Sequence, residues 1–251
     1  MAIYTKEIKS LQHPIVKHLV KLRKERRHRL ETKSLLLEGK KMIVEYRGPI
    51  KTLLVTKDSA IARHLEFKRR LFVSNQIIEK ISGTKSPEPY LAEVPLPPSS
   101  DLGGKKRLLA LDGVNDPGNV GTLIRAALAF GFDAVFLTND SADPYMHKAL
   151  RAAKGATFHL PLRIGTEEEL ILLIQENTLT PYVADGQGVA TFPLSAPLIL
   201  ILGSEANGPS EKLKALGKPL SIPIARETES LNVAVAGGIL MHQFQQTLWP
   251  R

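Results

Sequence analysis

The stretch RLLALDGVNDPGNVGTLIRAALAFGFDAVFLT, Arg107 to Thr138, reads as strand, turn, helix and second strand. Arg107–Leu111 and Ala134–Thr138 are apolar without alternation, which suits strands covered on both faces. Between them Asn115, Asp116, Pro117 and Gly118 predict a turn, and Asn119 predicts the N-cap of a helix over Val120–Phe130. On that helix Val120, Ile124, Ala127 and Leu128 share one face, with Arg125 at its border. The pattern then repeats. Tyr182–Ala184 and Leu198–Leu202 read as strands, and Met146–Lys154, Glu167–Glu176 and Leu231–Trp249 as helices. Thr166 and Glu169 have capping-box spacing. Strand–helix alternation of this kind predicts an α/β domain with a parallel sheet and helices on both faces. Ligands of such sheets bind beyond the carboxyl ends of the strands.

Upstream, Ser86 to Gly104 carries five prolines and ends in two glycines, which marks a junction. The expected division is 1–95 as one domain, 96–104 as linker and 105–251 as the second domain. The first block reads as mixed α/β. It has a helix over Ile15–Leu30, short strands at Leu35–Leu37 and Thr52–Thr56, short helices at Lys40–Tyr46 and Gln76–Ile81, and a strand at Tyr90–Val94.

Charge separates the two blocks further. The 251 residues carry a net +9, but residues 1–100 hold 21 Lys+Arg against 10 Asp+Glu, and residues 101–251 hold 13 against 15. A basic block of +11 joined to one of −2 predicts that the first part grips a polyanion and the second does something else. Lys21, Arg23, Lys24, Arg26, Arg27 and Arg29 crowd one helix end as a candidate phosphate-binding surface. Cysteine is absent, which excludes disulfides, thiolate nucleophiles and cysteine-held metals. The histidines show no metal-ligand spacing. Without a signal peptide pattern or a long apolar run, the expected location is the cytoplasm, with no membrane and no metal.

Three segments follow apolar runs as a ligand site requires. In the first, Gly-Asn-Val-Gly leads into the Arg125 helix but lacks the dinucleotide and P-loop fingerprints, so a Rossmann-type enzyme is poorly supported. In the second, LILILGSEANGPS (Leu198–Ser210), the chain reaches Gly203-Ser204-Glu205 and a second glycine at Gly208, with Ser210 able to cap a helix. In the third, LSIPIARETESLNVAVAGGIL (Leu220–Leu240), a Ser221–Ile224 strand runs into Ser230 as N-cap of a long helix, placing Asn232 in its first turn. Gly237 and Gly238 inside that helix cost stability, of the order of 1 kcal/mol each, which predicts another backbone packed closely there.

Together these segments resemble the three signature motifs of the SpoU/TrmH family of RNA ribose 2′-O-methyltransferases, within the SPOUT class. Asn119, Gly121 and Arg125 match the first motif, Gly203, Glu205 and Gly208 the second, and Ile222-Pro223 with Ser230-Leu231-Asn232-Val233 the third. The N-terminal block resembles the family's substrate-binding domain, which is similar to ribosomal protein L30e, through Leu11–Lys33, Leu37–Lys40 and Ile81–Pro87. Glu88 and Ile224 depart from the family's usual glutamine and methionine.

The resemblance implies a deep trefoil knot in the C-terminal domain and a homodimer. It implies S-adenosyl-L-methionine bound by Thr138, Gly203, Ile222 and Leu231. It implies catalysis by Arg125, with Asn119, Glu205, Ser230 and Asn232 orienting it and the nucleotide. A guanidinium scarcely deprotonates, so Arg125 is expected to position and stabilise charge while a phosphate or water takes the proton. The substrate it implies is structured RNA, with ribosomal RNA favoured over transfer RNA. The rival reading is a non-catalytic RNA-binding or ribosome assembly factor that keeps the fold.

Overall fold

The computed structural model describes residues 4–56, 65–189, 194–225 and 227–248. The chain divides into two compact units, one of residues 1–98 with 145–151, the other of residues 99–144 with 152–251.

In the first unit the described strands are β1 (Tyr4–Ile8), β2 (Ser34–Glu38), β3 (Ile50–Val55), β4 (Phe67–Val73) and β5 (Tyr90–Pro95). They form a mixed sheet in the order β1-β4-β3-β5-β2, parallel at β1–β4 and β3–β4 and antiparallel elsewhere. Helices α1 (Pro14–Lys24), α2 (Arg26–Thr32), α3 (Lys40–Glu45) and α4 (Asn75–Ser82) complete it. Val16, Leu19 and Leu22 of α1 and Ile77, Ile78 and Ile81 of α4 pack on Leu36, Leu54, Leu71 and Leu91.

The single helix expected over Ile15–Leu30 is two. Glu25 is extended and separates α1 from α2. The break turns Arg29 inward, where it is 2% exposed and donates from Nη1 to the carbonyls of Leu22 (2.9 Å) and Arg23 (3.4 Å). The final carbonyls of α1 have no partners within the helix, so a guanidinium folded back over them satisfies them and offsets its own burial. A second polar cluster lies on β5. The Glu93 carboxylate accepts from Ser34 Oγ (3.1 Å) and Thr52 Oγ1 (2.9 Å) and lies 3.3 Å from His18 Nε2, which is 2.9 Å through Nδ1 from His28 Nε2. Burial opposes its charge, but the His18 and Thr52 bonds, the His18 charge and the Ser34 bond outweigh it and hold the carboxyl at about 2.

The described strands of the second unit are β6 (Arg107–Asp112), β7 (Ala134–Thr138), β8 (Leu162–Gly165), β9 (Thr180–Val189), β10 (Leu198–Gly203) and β11 (Lys218–Leu220). All pair in parallel, in the order β11-β9-β10-β6-β7-β8. The helices are α5 (Pro117–Ala129), α6 (His147–Ala153, shared with the first unit), α7 (Glu167–Glu176), α8 (Glu211–Leu216) and α9 (Val233–Leu248). Alternate strand residues serve opposite faces. Leu108, Ala110, Phe136, Ile199 and Ile201 meet Leu170 and Leu173 of α7 and Leu213 of α8. On the other face Tyr182 stacks edge-on against Phe244 of α9, and Leu202 reaches α9 at Gly237. The parallel α/β expectation holds, including the Thr166–Glu169 capping box of α7.

Several local expectations are corrected. Asp116, not Asn119, caps α5; its carboxylate accepts from Asn119 N at 2.9 Å and Pro117 starts the helix, because proline pre-sets the first helical dihedral. Leu128 is 38% exposed, and Leu123 is buried in its place. Ser221–Ile224 forms no strand; β11 ends at Leu220, just before Ser221 Oγ donates to the Gly188 carbonyl. Gly237 and Gly238 meet no foreign backbone. A Cβ on Gly237 would strike the side chains of Leu123 and Leu202, whereas one on Gly238 would meet nothing within 4 Å.

Candidate active site

The carboxyl ends of β6 and β10 lie side by side, with Asp112 in register with Gly203. Beyond Gly203 the chain turns at once. Gly208 N donates to the Ser204 carbonyl (2.9 Å) and Asn207 N to Ser204 Oγ (3.1 Å). This turn brings the Gly208–Pro209 backbone so near Gly203 that any side chain there would collide with it. Gly208 has φ +66°, the left-handed region where glycine is unstrained. Asp112 Oδ2 then accepts from Ser210 N at 2.8 Å, and Ser210 Oγ caps α8. The loop is therefore closed at both ends.

A cleft of about 270 Å³ opens beside this loop. Its apolar wall comes from Leu202, Leu220, Ile222, Leu231, Val233 and Leu240, and its acidic groups are Asp185, Glu205 and Glu229. Gly203, Ile222 and Leu231, three of the four residues expected to hold a cofactor, line it together, as does Ser230. Thr138 does not. It is 3% exposed at the end of β7, its Oγ1 accepts from Gly113 N (3.0 Å), and it borders a neighbouring groove with Asp112, Ser204 and Gly208. The sequence motifs did not draw attention to Asp112, Asp185 or Glu229. Asp112 and Asp185 were visible only as the polar ends of apolar strands, and Glu229 only as one charge of the loop that precedes Ser230.

A directed chain of hydrogen bonds joins the three motifs. Asn232, not Ser230, caps α9: its Oδ1 accepts from Ala234 N (2.9 Å) and Val235 N (3.3 Å). Asparagine is a poor helix former but a strong cap, so the helix starts one residue after it. Backbone N–H groups only donate, so Asn232 must turn its carbonyl oxygen to the helix and its amide nitrogen outward. That nitrogen donates to Asn119 Oδ1 (3.2 Å), and Asn119 Nδ2 in turn donates to Glu205 Oε1 (2.6 Å). Asn119, Glu205 and Asn232 are thus brought together. Ser230 stays exposed at the cleft. Arg125 is exposed on α5, is absent from the cleft lining, and forms no hydrogen bond or ion pair with the described residues.

Of the six basic residues expected to face a polyanion, Lys21, Lys24, Arg26 and Arg27 are exposed. Arg27 is paired with Glu31 (2.6 Å), and half-buried Arg23 donates to the Ser82 carbonyl (2.7 Å). Arg29 is buried and serves the chain itself. Among the described residues no group of three or more His, Asp or Glu could hold a metal ion, and no helix is long and apolar enough to cross a membrane.

Residues 106–242 match the SpoU rRNA methylase family, which covers the whole parallel sheet and all three motif segments. The chain belongs to the SpoU rRNA methylase family. Residues 13–92 match a second description, the MRM3-like substrate-binding domain. SpoU relatives include a 23S rRNA (guanosine(2553)-2′-O)-methyltransferase of Bacillus subtilis, 31% identical over 96% of this chain and 99% of the relative. Another is a 23S rRNA (adenosine(1067)-2′-O)-methyltransferase of Streptomyces azureus, 32% identical over 69% of this chain and 68% of the relative. Among solved structures, the AdoMet-bound rRNA methyltransferase of Sinorhizobium meliloti is 28% identical and covers 98% of this chain and 99% of that one, with a TM-score of 0.85.

Proposed function

We propose that this chain transfers a methyl group from S-adenosyl-L-methionine to a ribose 2′-hydroxyl of ribosomal RNA. The observation that carries this reading is the Asn232–Asn119–Glu205 chain, which gathers the three SpoU motifs at the edge of the cleft. The cleft suits the methyl donor. Its leucine and isoleucine wall matches a purine face, the Gly203 turn leaves backbone unshielded by a side chain, and Asp185, Glu205 and Glu229 favour a cationic ligand. Gly203, Ile222 and Leu231 hold the donor, Thr138 buttresses the adjoining loop through Gly113, and the bound sulfonium supplies an activated methyl group without any metal.

Arg125 carries the incoming RNA. Its side chain is exposed and uncommitted, and a guanidinium suits a phosphate next to the reacting ribose. Asn119, Glu205, Ser230 and Asn232 set the position of the nucleotide. Residues 1–95 select the RNA through Lys21, Lys24, Arg26 and Arg27, the linker spans 96–104, and residues 105–251 carry out transfer. The C-terminal segment is threaded as a trefoil knot, the enzyme acts as a homodimer, and its compartment is the cytoplasm.

Incubating the protein and labelled S-adenosyl-L-methionine with total RNA, then mapping 2′-O-methylated positions, tests this directly. Label confined to a 23S site is expected; label in transfer RNA would move the substrate, and none at all would favour an assembly factor. Arg125→Ala should lower transfer severely while leaving cofactor binding intact. Near-normal transfer by that variant would remove Arg125 from the site.

A further inference from the structure

Transfer to a hydroxyl needs a destination for its proton, and the cleft offers one group prepared for it. We infer that the Glu205 carboxylate, through Oε2, accepts the proton of the target ribose hydroxyl, an inference that rests on the methyl-transfer reading above.

Each hydrogen bond in the chain described above points the same way. The α9 backbone donates to Asn232, Asn232 to Asn119, and Asn119 to Glu205. The cap fixes the first donor, so neither amide can reverse without breaking a bond. The Asn119 amide, oriented by Asn232, thereby holds Oε1 of Glu205, and the carboxylate is fixed by one oxygen at 2.6 Å. Its second oxygen has no partner among the described residues and belongs to a side chain that lines the cleft. Of the residues drawn from the three motifs, only Glu205 is both a proton acceptor and part of that lining; Arg125 is neither. Asp185 and Glu229 also line the cleft but are not joined to this chain of bonds.

The chemistry asks little of the acceptor. As the ribose oxygen bonds to the methyl carbon, the carbon–sulfur pair stays on sulfur and the hydroxyl proton becomes that of an alkylated oxonium. Such a proton is far more acidic than a carboxylic acid, so a carboxylate within reach takes it as the new bond forms. Water then removes it from Glu205 after the product leaves. A positioned base of this kind is worth roughly 10²–10⁴-fold in rate.

The test uses the full chain with Glu205→Gln, whose amide oxygen still accepts from Asn119 while the proton acceptor is lost. Calorimetry with S-adenosyl-L-methionine, thermal melting and single-turnover transfer to the RNA substrate are measured together. Expected are unchanged melting, a cofactor affinity lowered no more than a few-fold by the loss of one of the three cleft charges, and a single-turnover rate at saturating cofactor lowered about 100-fold or more. Glu205→Asp, which restores a carboxylate on a shorter arm, should recover part of the rate. A Gln variant within about threefold of wild type would overturn the assignment. So would weakened cofactor binding with a normal rate at saturation. Absence of both cofactor heat and transfer in the wild type would instead overturn the methyl-transfer reading itself.

Discussion

Asp112 and Ser210 stand 98 residues apart in the chain and are joined by a 2.8 Å bond from the Ser210 N–H to Asp112 Oδ2. One residue ends the central strand β6, and the other opens α8. The bond fastens the far end of the Gly203–Pro209 loop to the sheet. Asp112→Ala should leave that N–H unpaired at a cost of about 1–2 kcal/mol, and loosen the cleft wall. Cofactor affinity measured by calorimetry should fall with it. Asp112→Asn keeps an acceptor oxygen and should retain most of both; equal losses in the two variants would show that the bond is not the cause.

Asn232 has two tasks that substitution can separate. Aspartate and serine both cap helices well, so Asn232→Asp and Asn232→Ser should melt within about 1 kcal/mol of the wild type. Neither can donate to Asn119 Oδ1 as the amide does. Aspartate goes further and sets a carboxylate against that oxygen, which drives the Asn119 amide to reverse and turn its own oxygen towards Glu205. Methyl transfer should therefore fall more in the aspartate variant than in the serine one. Equal activity in all three would show that the chain of bonds does not matter to transfer.

The Glu93 carboxyl is held at about 2 against an ordinary 4.5, a depressed acid. Its contribution to stability is complete above pH 4.5 and is lost as pH falls from there towards 2. The size is on the order of 3 kcal/mol. Denaturant unfolding at pH 7 should show Glu93→Gln destabilised by a comparable amount, with the gap to wild type shrinking by pH 3. A gap independent of pH would mean that the charge is not what stabilises the cluster.

The basic residues of the first unit divide by burial. Replacing Lys21, Lys24 and Arg26 together should weaken RNA binding and flatten the slope of log affinity against log salt by about 2, with melting nearly unchanged. Arg29→Ala should do the reverse, lowering stability by about 3 kcal/mol through the two carbonyls it abandons, with the salt slope kept. Filter binding at several salt concentrations separates the outcomes, and an unchanged slope in the triple variant would place the RNA elsewhere.

These contrasts show where the sequence was sufficient and where it was not. Buried parallel strands announce themselves, because LLAL, AVFLT and LILIL leave no polar face to hide. Lys218–Leu220 and Tyr4–Ile8 do not, since KPL and YTKEI owe their pairing to neighbours far away in sequence. The resemblance to the SpoU motifs marked Asn119, Glu205 and Asn232. It could not say which asparagine capped a helix, since that depends on whether α9 begins before or after position 232. Arg29 is indistinguishable from Arg26 and Arg27 in a basic run until the break at Glu25 turns it inward. Thr138 has the expected place at a strand end, and the bond its hydroxyl accepts from Gly113 N was not legible in the sequence.

The order of the sheet also sets a timetable for the site. Strand β10 pairs with β6 and β9, and Asn232 follows it by about thirty residues before reaching back 113 positions to Asn119. A ribosome making this protein releases the basic unit, α5 and Asn119 long before the cap of α9 exists. The nascent chain therefore carries its basic residues well before its polar chain of bonds is closed. The polar chain closes only once α9 has begun, so a product cut short before Val235 has its basic residues and Asn119 but not the cap that orients Glu205.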